Sequence, residues 1–247
     1  MWSGKQYDEV AGPQHRWGVD VIERLPSSGL ARILDAGCGS GRVTEALLDR
    51  FPDAQVVGID TSRSMLDAAA RRLDRFGDRV ALLEAGLHDD HAIRSLGTFD
   101  AILSTGVFHW VVDHRAMFST LREVLCAGGV LAAQAGGEGS LREVRTILTE
   151  LGVEWESLNN YANAVETCAA LEAAGFVDVE CWMVDEPIEY AGSSELRAFL
   201  LEGVIAPYVS GWPEAERTQL ATDVANRLAA PVLHFVRLNI RAVSGPA

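Results

Sequence analysis

Between an apolar run and an amphipathic segment the chain reads Ile33-Leu34-Asp35-Ala36-Gly37-Cys38-Gly39-Ser40-Gly41-Arg42-Val43. An acid followed by glycines at alternate positions, Asp35-x-Gly37-x-Gly39-x-Gly41, leaves few folds open. Glycine permits strained dihedrals and removes the Cβ that would strike a ligand passing over the turn. A helix that starts there aims its first N–H groups at that ligand. The feature predicts a strand, a tight turn and a helix, with a bulky cofactor above the turn.

A second acid sharpens this. Val56-Val57-Gly58-Ile59-Asp60 is an apolar run ending in a carboxylate, and Asp60 lies 19 residues after Gly41. In a doubly wound sheet, an acid at the end of the second strand reaches the vicinal hydroxyls of a ribose held over the first turn. The dinucleotide fingerprint G-x-G-x-x-G/A, read from Gly37, needs a small residue where Arg42 stands. Asp35 would also repel a pyrophosphate, whereas it suits a cofactor that carries an ammonium group.

Strand, acid, three glycines, helix, strand and second acid together resemble class I S-adenosylmethionine-dependent methyltransferases, in particular the trans-aconitate methyltransferase-like branch. The resemblance covers roughly residues 1–185 well and the remainder loosely. It implies S-adenosylmethionine as cofactor, with Asp35, Gly37, Cys38 and Gly39 in the turn and Asp60 and Thr61 at the ribose. It places Met65 against the adenine, the alternative being an ordinary core methionine. It places Gly86 and Leu87 at the adenine edge through backbone groups, because the Asp that relatives carry near Gly86 is missing here. Ser104, at the end of the fourth strand, falls nearest the methyl group.

The same resemblance gives the N-terminal segment a role. Trp2 and Tyr7 keep the spacing of that branch, and Arg16 or Gln14 is placed to bind the carboxylate of the cofactor's methionine part. A surface helix cap is the other reading of Arg16. His109, between Phe108 and Trp110 at the end of strand four, is the first candidate for general base or acceptor orienter. A histidine hydrogen-bonded inside a packed aromatic turn is the alternative, and His15 is the second candidate. His88 and His91 are expected on the surface.

Alternation of β and α elements predicts an α/β fold, a doubly wound Rossmann-like seven-stranded sheet with a helical lid. Strands are expected near 31–36, 55–59, 79–83, 99–104, 129–134, 176–184 and 233–243, the last antiparallel by resemblance. Helices are expected near 13–25, 41–51, 63–74, 90–96, 114–125, 140–151, 165–174, 194–203 and 213–229. The organisation reads as an N-terminal lid segment over 1–30, a cofactor-binding core over 31–185, and lid helices with the final strand over 186–247. An acceptor pocket is expected around His109, Tyr161 and Trp212.

Composition excludes other classes. With a formal net charge of −14 and a single lysine, the chain lacks the basic patch that nucleic acid or an anionic membrane requires. No apolar run is long enough to span a bilayer, and the N-terminus is not a signal peptide. Cys38, Cys126, Cys168 and Cys181 are too scattered for a zinc site or a disulfide framework, so no metal is expected. The expectation is a cytoplasmic monomer or homodimer that methylates a small-molecule metabolite at O, N or C. The Ala- and Arg-rich composition of a GC-rich genome associates it with secondary metabolism. Two other readings remain at this point: a protein that binds S-adenosylmethionine without transferring methyl, such as a cyclase or accessory subunit, and a nicotinamide-dependent oxidoreductase.

Overall fold

The computed structural model of the protein describes residues 12–246. Trp2 and Tyr7, and with them the first part of the expected lid segment, lie outside the described residues.

In chain order the elements are α1 (Gly12–Ile22), β1 (Arg32–Ala36), α2 (Arg42–Arg50), β2 (Gln55–Asp60), α3 (Arg63–Leu73), β3 (Val80–Glu84), α4 (Asp90–Ser95) and β4 (Phe99–Thr105). There follow α5 (His114–Glu123), β5 (Leu125–Gly136), α6 (Arg142–Glu150), α7 (Ala164–Ala173), β6 (Phe176–Glu189), α8 (Ser193–Phe199), α9 (Glu214–Arg227) and β7 (Val232–Ser244). The strands form one sheet in the order β3-β2-β1-β4-β5-β7-β6. β1 is parallel to β2 and β4, and β7 runs antiparallel to both β5 and β6. Among the described residues no helix is long and apolar enough to cross a membrane.

Period-two burial explains the layers. Ile33, Ala101 and Leu103 face one side with Val21, Leu47, Leu48 and Leu73 from α1, α2 and α3. Leu34, Ile102 and Leu131 face the other, with Ile93, Phe118 and Leu171 from α4, α5 and α7. A sheet covered on both faces buries near-continuous apolar strands. The order in which strands are added reverses between β1 and β4, so a crevice opens at their carboxyl ends.

A third core sits off the sheet. It joins Val144 and Leu148 of α6, Leu196 and Phe199 of α8, Leu220 and Val224 of α9, and Trp17 and Phe235. This is the roof. Val21 and Ile22 of α1 pack on the sheet side, and Val144 and Leu148 of α6 pack in the roof.

Two elements differ from expectation. β6 continues past 184 to Glu189, through Pro187, which stands opposite His234. An outermost strand needs ladder bonds on one side only, so proline is tolerated there. The helix expected over 194–203 ends at Phe199 and turns into a π-helix over Leu200–Ile205.

Candidate active site

The turn after β1 is held from two sides. The N–H groups of Gly37 and Cys38 both donate to the Ile59 carbonyl at 2.9 Å, and Arg72 Nε donates to the Ser40 carbonyl at 3.0 Å. Gly37 has φ +88°, and a Cβ there would lie 2.1 Å from Val107 Cγ2. Gly39 also has positive φ, but a Cβ there would meet nothing within 4 Å. The first glycine is fixed by packing below and the second by open space above.

Asp60 closes the other side. Its Oδ2 accepts from the Gly39 N–H at 3.0 Å and its Oδ1 from the Ser62 N–H at 2.8 Å. Each oxygen keeps a lone pair for a further donor. Burial raises the carboxyl above its ordinary range, and the backbone N–H groups of Ser62, Gly39 and Thr61 work against that rise.

Over these groups lies a cavity of about 500 Å³, roofed by residues of the third core. Gly37, Cys38, Gly39, Asp60, Thr61, Met65, Gly86, Leu87, His15 and His109 all line it. Met65 is buried on α3 and presents a soft apolar surface to the cavity.

Three expected cofactor residues do not reach it. Asp35 is 1% exposed, accepts a 2.6 Å hydrogen bond from Thr44 Oγ1 and is absent from the lining. Burial pushes its carboxyl up to about 6, and nearby Asp60 adds to the rise while the Thr44 bond opposes it. Asp35 thus ties β1 to α2 from beneath. Ser104 is fully buried and donates to the Ala36 carbonyl at 2.7 Å, joining β4 to β1. Arg16 lies outside the cavity, paired with Glu186 at 3.1 Å and largely exposed.

Smaller corrections concern other residues. Trp212 is exposed and away from the cavity, where Tyr208 takes the expected place. His88 reaches the rim beside Gly86 although its surface is exposed. Gln14 lines the cavity, and its Oε1 is buried with no hydrogen-bond partner among the described residues. Arg237, Val236 and Phe235 of β7, and Val204 and Pro207 of the roof, were missed. Alternation along 233–243 did identify a strand, but which residues of it meet the cavity depends on pairings with β5 and β6.

At the far end stands His109, in a short 3₁₀ turn over Phe108–Trp110. Its Nδ1 accepts from the Gly136 N–H at 3.1 Å. A neutral ring bonded in this way carries its proton on Nε2. Burial, and then the neighbouring His114, lower its pKa to about 3. His109 is therefore a neutral N–H donor at physiological pH, and the expectation of a general base does not fit: one nitrogen is engaged and the other protonated. Its ring stacks on Tyr161 with centroids 5.4 Å apart. The loop before α7 holds the turn: the Asn160 N–H and Asn159 Nδ2 both donate to the His109 carbonyl, and Tyr208 Oη donates to Asn159 Oδ1 at 2.6 Å.

The residues fit S-adenosylmethionine. Two acceptor oxygens await vicinal hydroxyls, a glycine leaves room for the ligand, and an apolar thioether and backbone groups stand where a base would lie. Among the described residues no group of three His, Cys, Asp or Glu could hold a metal ion.

Comparison with known proteins agrees. Residues 34–131 match the family model of a methyltransferase domain. The trans-aconitate 2-methyltransferase of Afipia carboxidovorans is 38% identical over 133 residues, 54% of this chain and 49% of that protein. That of Methylobacterium nodulans is 33% identical over 190 residues, 73% of this chain and 70% of that protein. The chain thus spans about half the length of the first relative and more of the second. In fold, the YcgJ protein of Bacillus subtilis superposes with a TM-score of 0.66 at 17% identity, covering 94% of this chain and 100% of that one. By turn, sheet order and relatives, the chain belongs to the S-adenosylmethionine-dependent methyltransferase family, in the branch of the trans-aconitate 2-methyltransferases.

Proposed function

We propose that the protein transfers a methyl group from S-adenosylmethionine to a small-molecule acceptor bound beneath the roof. The observation that carries this reading is the cradle of Asp60 and Gly39 opening into the same cavity as His109. When bound, the cofactor would supply an electrophilic methyl group for an acceptor held beneath the roof. The chain's own contribution is position and dryness. Asp60 holds the ribose hydroxyls, Met65, Gly86 and Leu87 frame the base, and the roof excludes water, so orientation and desolvation lower the barrier.

His109 serves as an orienting donor through Nε2–H. An acceptor that is already anionic, or whose proton leaves to solvent, needs no base from the protein. His15, on α1 at the cavity wall, is a second polar group facing the ligands. The acidic surface and the absence of a basic run support a metabolite rather than nucleic acid as acceptor. Either a monomer or a homodimer is compatible with this reading.

The test is formation of S-adenosylhomocysteine when the protein is given S-adenosylmethionine and a fractionated metabolite pool. Acceptor-dependent product supports the reading. Tight binding of S-adenosylhomocysteine with no turnover on any fraction would favour a non-methylating cofactor-binding protein instead.

A further inference from the structure

The four cysteines are scattered along the chain and all are free thiols, but the fold brings two of them together. Cys168 lies on α7 and Cys181 on β6, the outermost strand of the sheet. Alternation along β6 turns Val179, Cys181 and Met183 to one face, against the core that Leu171 of α7 also enters. Cys168 stands one turn before Leu171, on the same side of the helix. A groove of about 400 Å³ opens over the pair, with Cys168, Cys181 and Glu172 in its wall among small apolar residues. Both cysteines are half-buried, so a small solute can reach them. Cys38 and Cys126 are placed elsewhere: the first is buried in the turn after β1, the second is on β5, and neither lines the groove.

The two side chains are hydrogen-bonded to each other, and the bond holds the proton on Cys181. Burial first, then this contact with Cys168 and the charge of Glu172, push the Cys181 thiol up. Cys168 in turn receives a donor, and a donor to sulfur favours the thiolate, which is the nucleophilic form. A disulfide joins Cβ atoms about 4 Å apart, and thiols already in contact need little backbone movement to reach that separation.

We propose that Cys168 and Cys181 are a modification site, a dithiol that a small-molecule disulfide converts, in the folded protein, to a bond joining α7 to β6. The Cys168 thiolate attacks one sulfur of the reagent, forms a mixed disulfide and releases one thiolate. The Cys181 sulfur then attacks the Cys168 sulfur of that mixed disulfide and releases the second. Two protein thiols are oxidised, one reagent disulfide is reduced, and the two protons lost by the cysteines pass through solvent to the two released thiolates. Glu172 in the groove and a formal net charge of −14 favour a cationic reagent over an anionic one. The bond anchors α7, whose preceding loop holds the His109 turn through Asn159 and Asn160.

The test uses the full chain, reduced and folded, with cystamine as the cationic disulfide and oxidised glutathione as the anionic one. Remaining thiols are trapped with N-ethylmaleimide. Cleavage after glutamate then separates the two cysteines at Glu172 and Glu180, and mass spectrometry reads the state of each. The expected result is a Cys168 peptide joined to a Cys181 peptide, with Cys38 and Cys126 outside the bond. Stable mixed disulfides on both cysteines, a bond from either to Cys126, or two unreacted thiols overturns the proposal. Cross-linking should run about 3-fold or more faster with cystamine than with oxidised glutathione at low salt; equal rates contradict the preference for a cation. In Cys168→Ser and in Cys181→Ser the remaining cysteine should retain the cysteamine adduct, and Cys126→Ser should leave the yield of cross-link unchanged. Loss of the adduct in either single variant, or of the cross-link in Cys126→Ser, assigns the resolving thiol elsewhere and overturns the pairing. In concentrated urea the ratio of cross-link to mixed disulfide should fall about 10-fold, because the unfolded chain lowers the effective concentration of one thiol at the other. An unchanged ratio shows that nearness in sequence, and not the packing of α7 on β6, makes the bond.

Discussion

Asp60 and Asp35 are both acids near the carboxyl ends of neighbouring strands, β2 and β1, yet their neighbours give them opposite work. Asp60 faces the cavity with each oxygen half-used. Asp60→Ala should weaken S-adenosylhomocysteine binding by about 1–3 kcal/mol, the cost of leaving paired hydroxyls unsatisfied, as read by calorimetry. Asp35 is sealed beneath the turn, its carboxyl raised by burial from 3.8 to about 6. Because the folded chain holds that proton more tightly than the unfolded one, stability is fullest below about pH 4 and is lost as pH rises toward 6. Relative to Asp35→Asn, which has no such titration, the natural protein should gain up to about 3 kcal/mol between pH 7 and pH 4, measured by urea denaturation at each pH. For His109, whose folded value is lowered to about 3, the sign is reversed: its contribution is complete above the unfolded value and is lost on acidification. Turnover should therefore show no inflection between pH 6 and 7 that His109→Gln removes. The residue scale is also where sequence reading was least secure. Spacing located Asp60, because a strand end fixes its position. Arg16 turns away from the cavity to a partner, Glu186, 170 residues along the chain, and Ser104 turns into the sheet, where alternation alone does not distinguish a hydroxyl above the strand end from one turned inward.

Among elements, β1, β2, β4 and β5 and the helices between them were legible because two-sided burial writes continuous apolar runs, and glycine turns and Asp caps punctuate them. Asp89 and Asp113 cap α4 and α5 by accepting from Ala92 and Ala116 N–H groups. The roof was legible only as helices. Its π-helical stretch carries no periodic signature of its own, and the pairing of Phe199 with Phe235 joins segments far apart in the chain. The turn between β1 and α2 offers the sharpest test at this scale. Gly37→Ala combines a positive φ with overlap on Val107 and should destabilise the protein by about 2–4 kcal/mol. Val107→Ala in the same chain should restore only part of this, since the backbone strain remains; denaturant midpoints of the single and double variants measure the split. Full restoration would show that the overlap alone matters.

As a whole, the molecule is one sheet with a cofactor crevice at its centre and a separately packed roof across it. A ligand that bridges the turn and the roof should stabilise the entire fold. S-adenosylhomocysteine at about 100 times its dissociation constant should add about 2.7 kcal/mol and raise the melting temperature, whereas NADH at the same concentration should not. The reverse order of effects would return the site to a nicotinamide cofactor. One further property comes from the order of strands. β7 is inserted between β5 and β6, and it also carries Phe235 and Arg237 into the cavity. A nascent chain emerging from the ribosome can thus assemble its first five strands but has nowhere to dock the sixth until the seventh has been made. Translation must run past residue 232 before β6 begins to gain its partner, and past 237 before the cavity gains its far wall, so a polypeptide released earlier would carry a nearly finished nucleoside cradle attached to an unpaired ribbon.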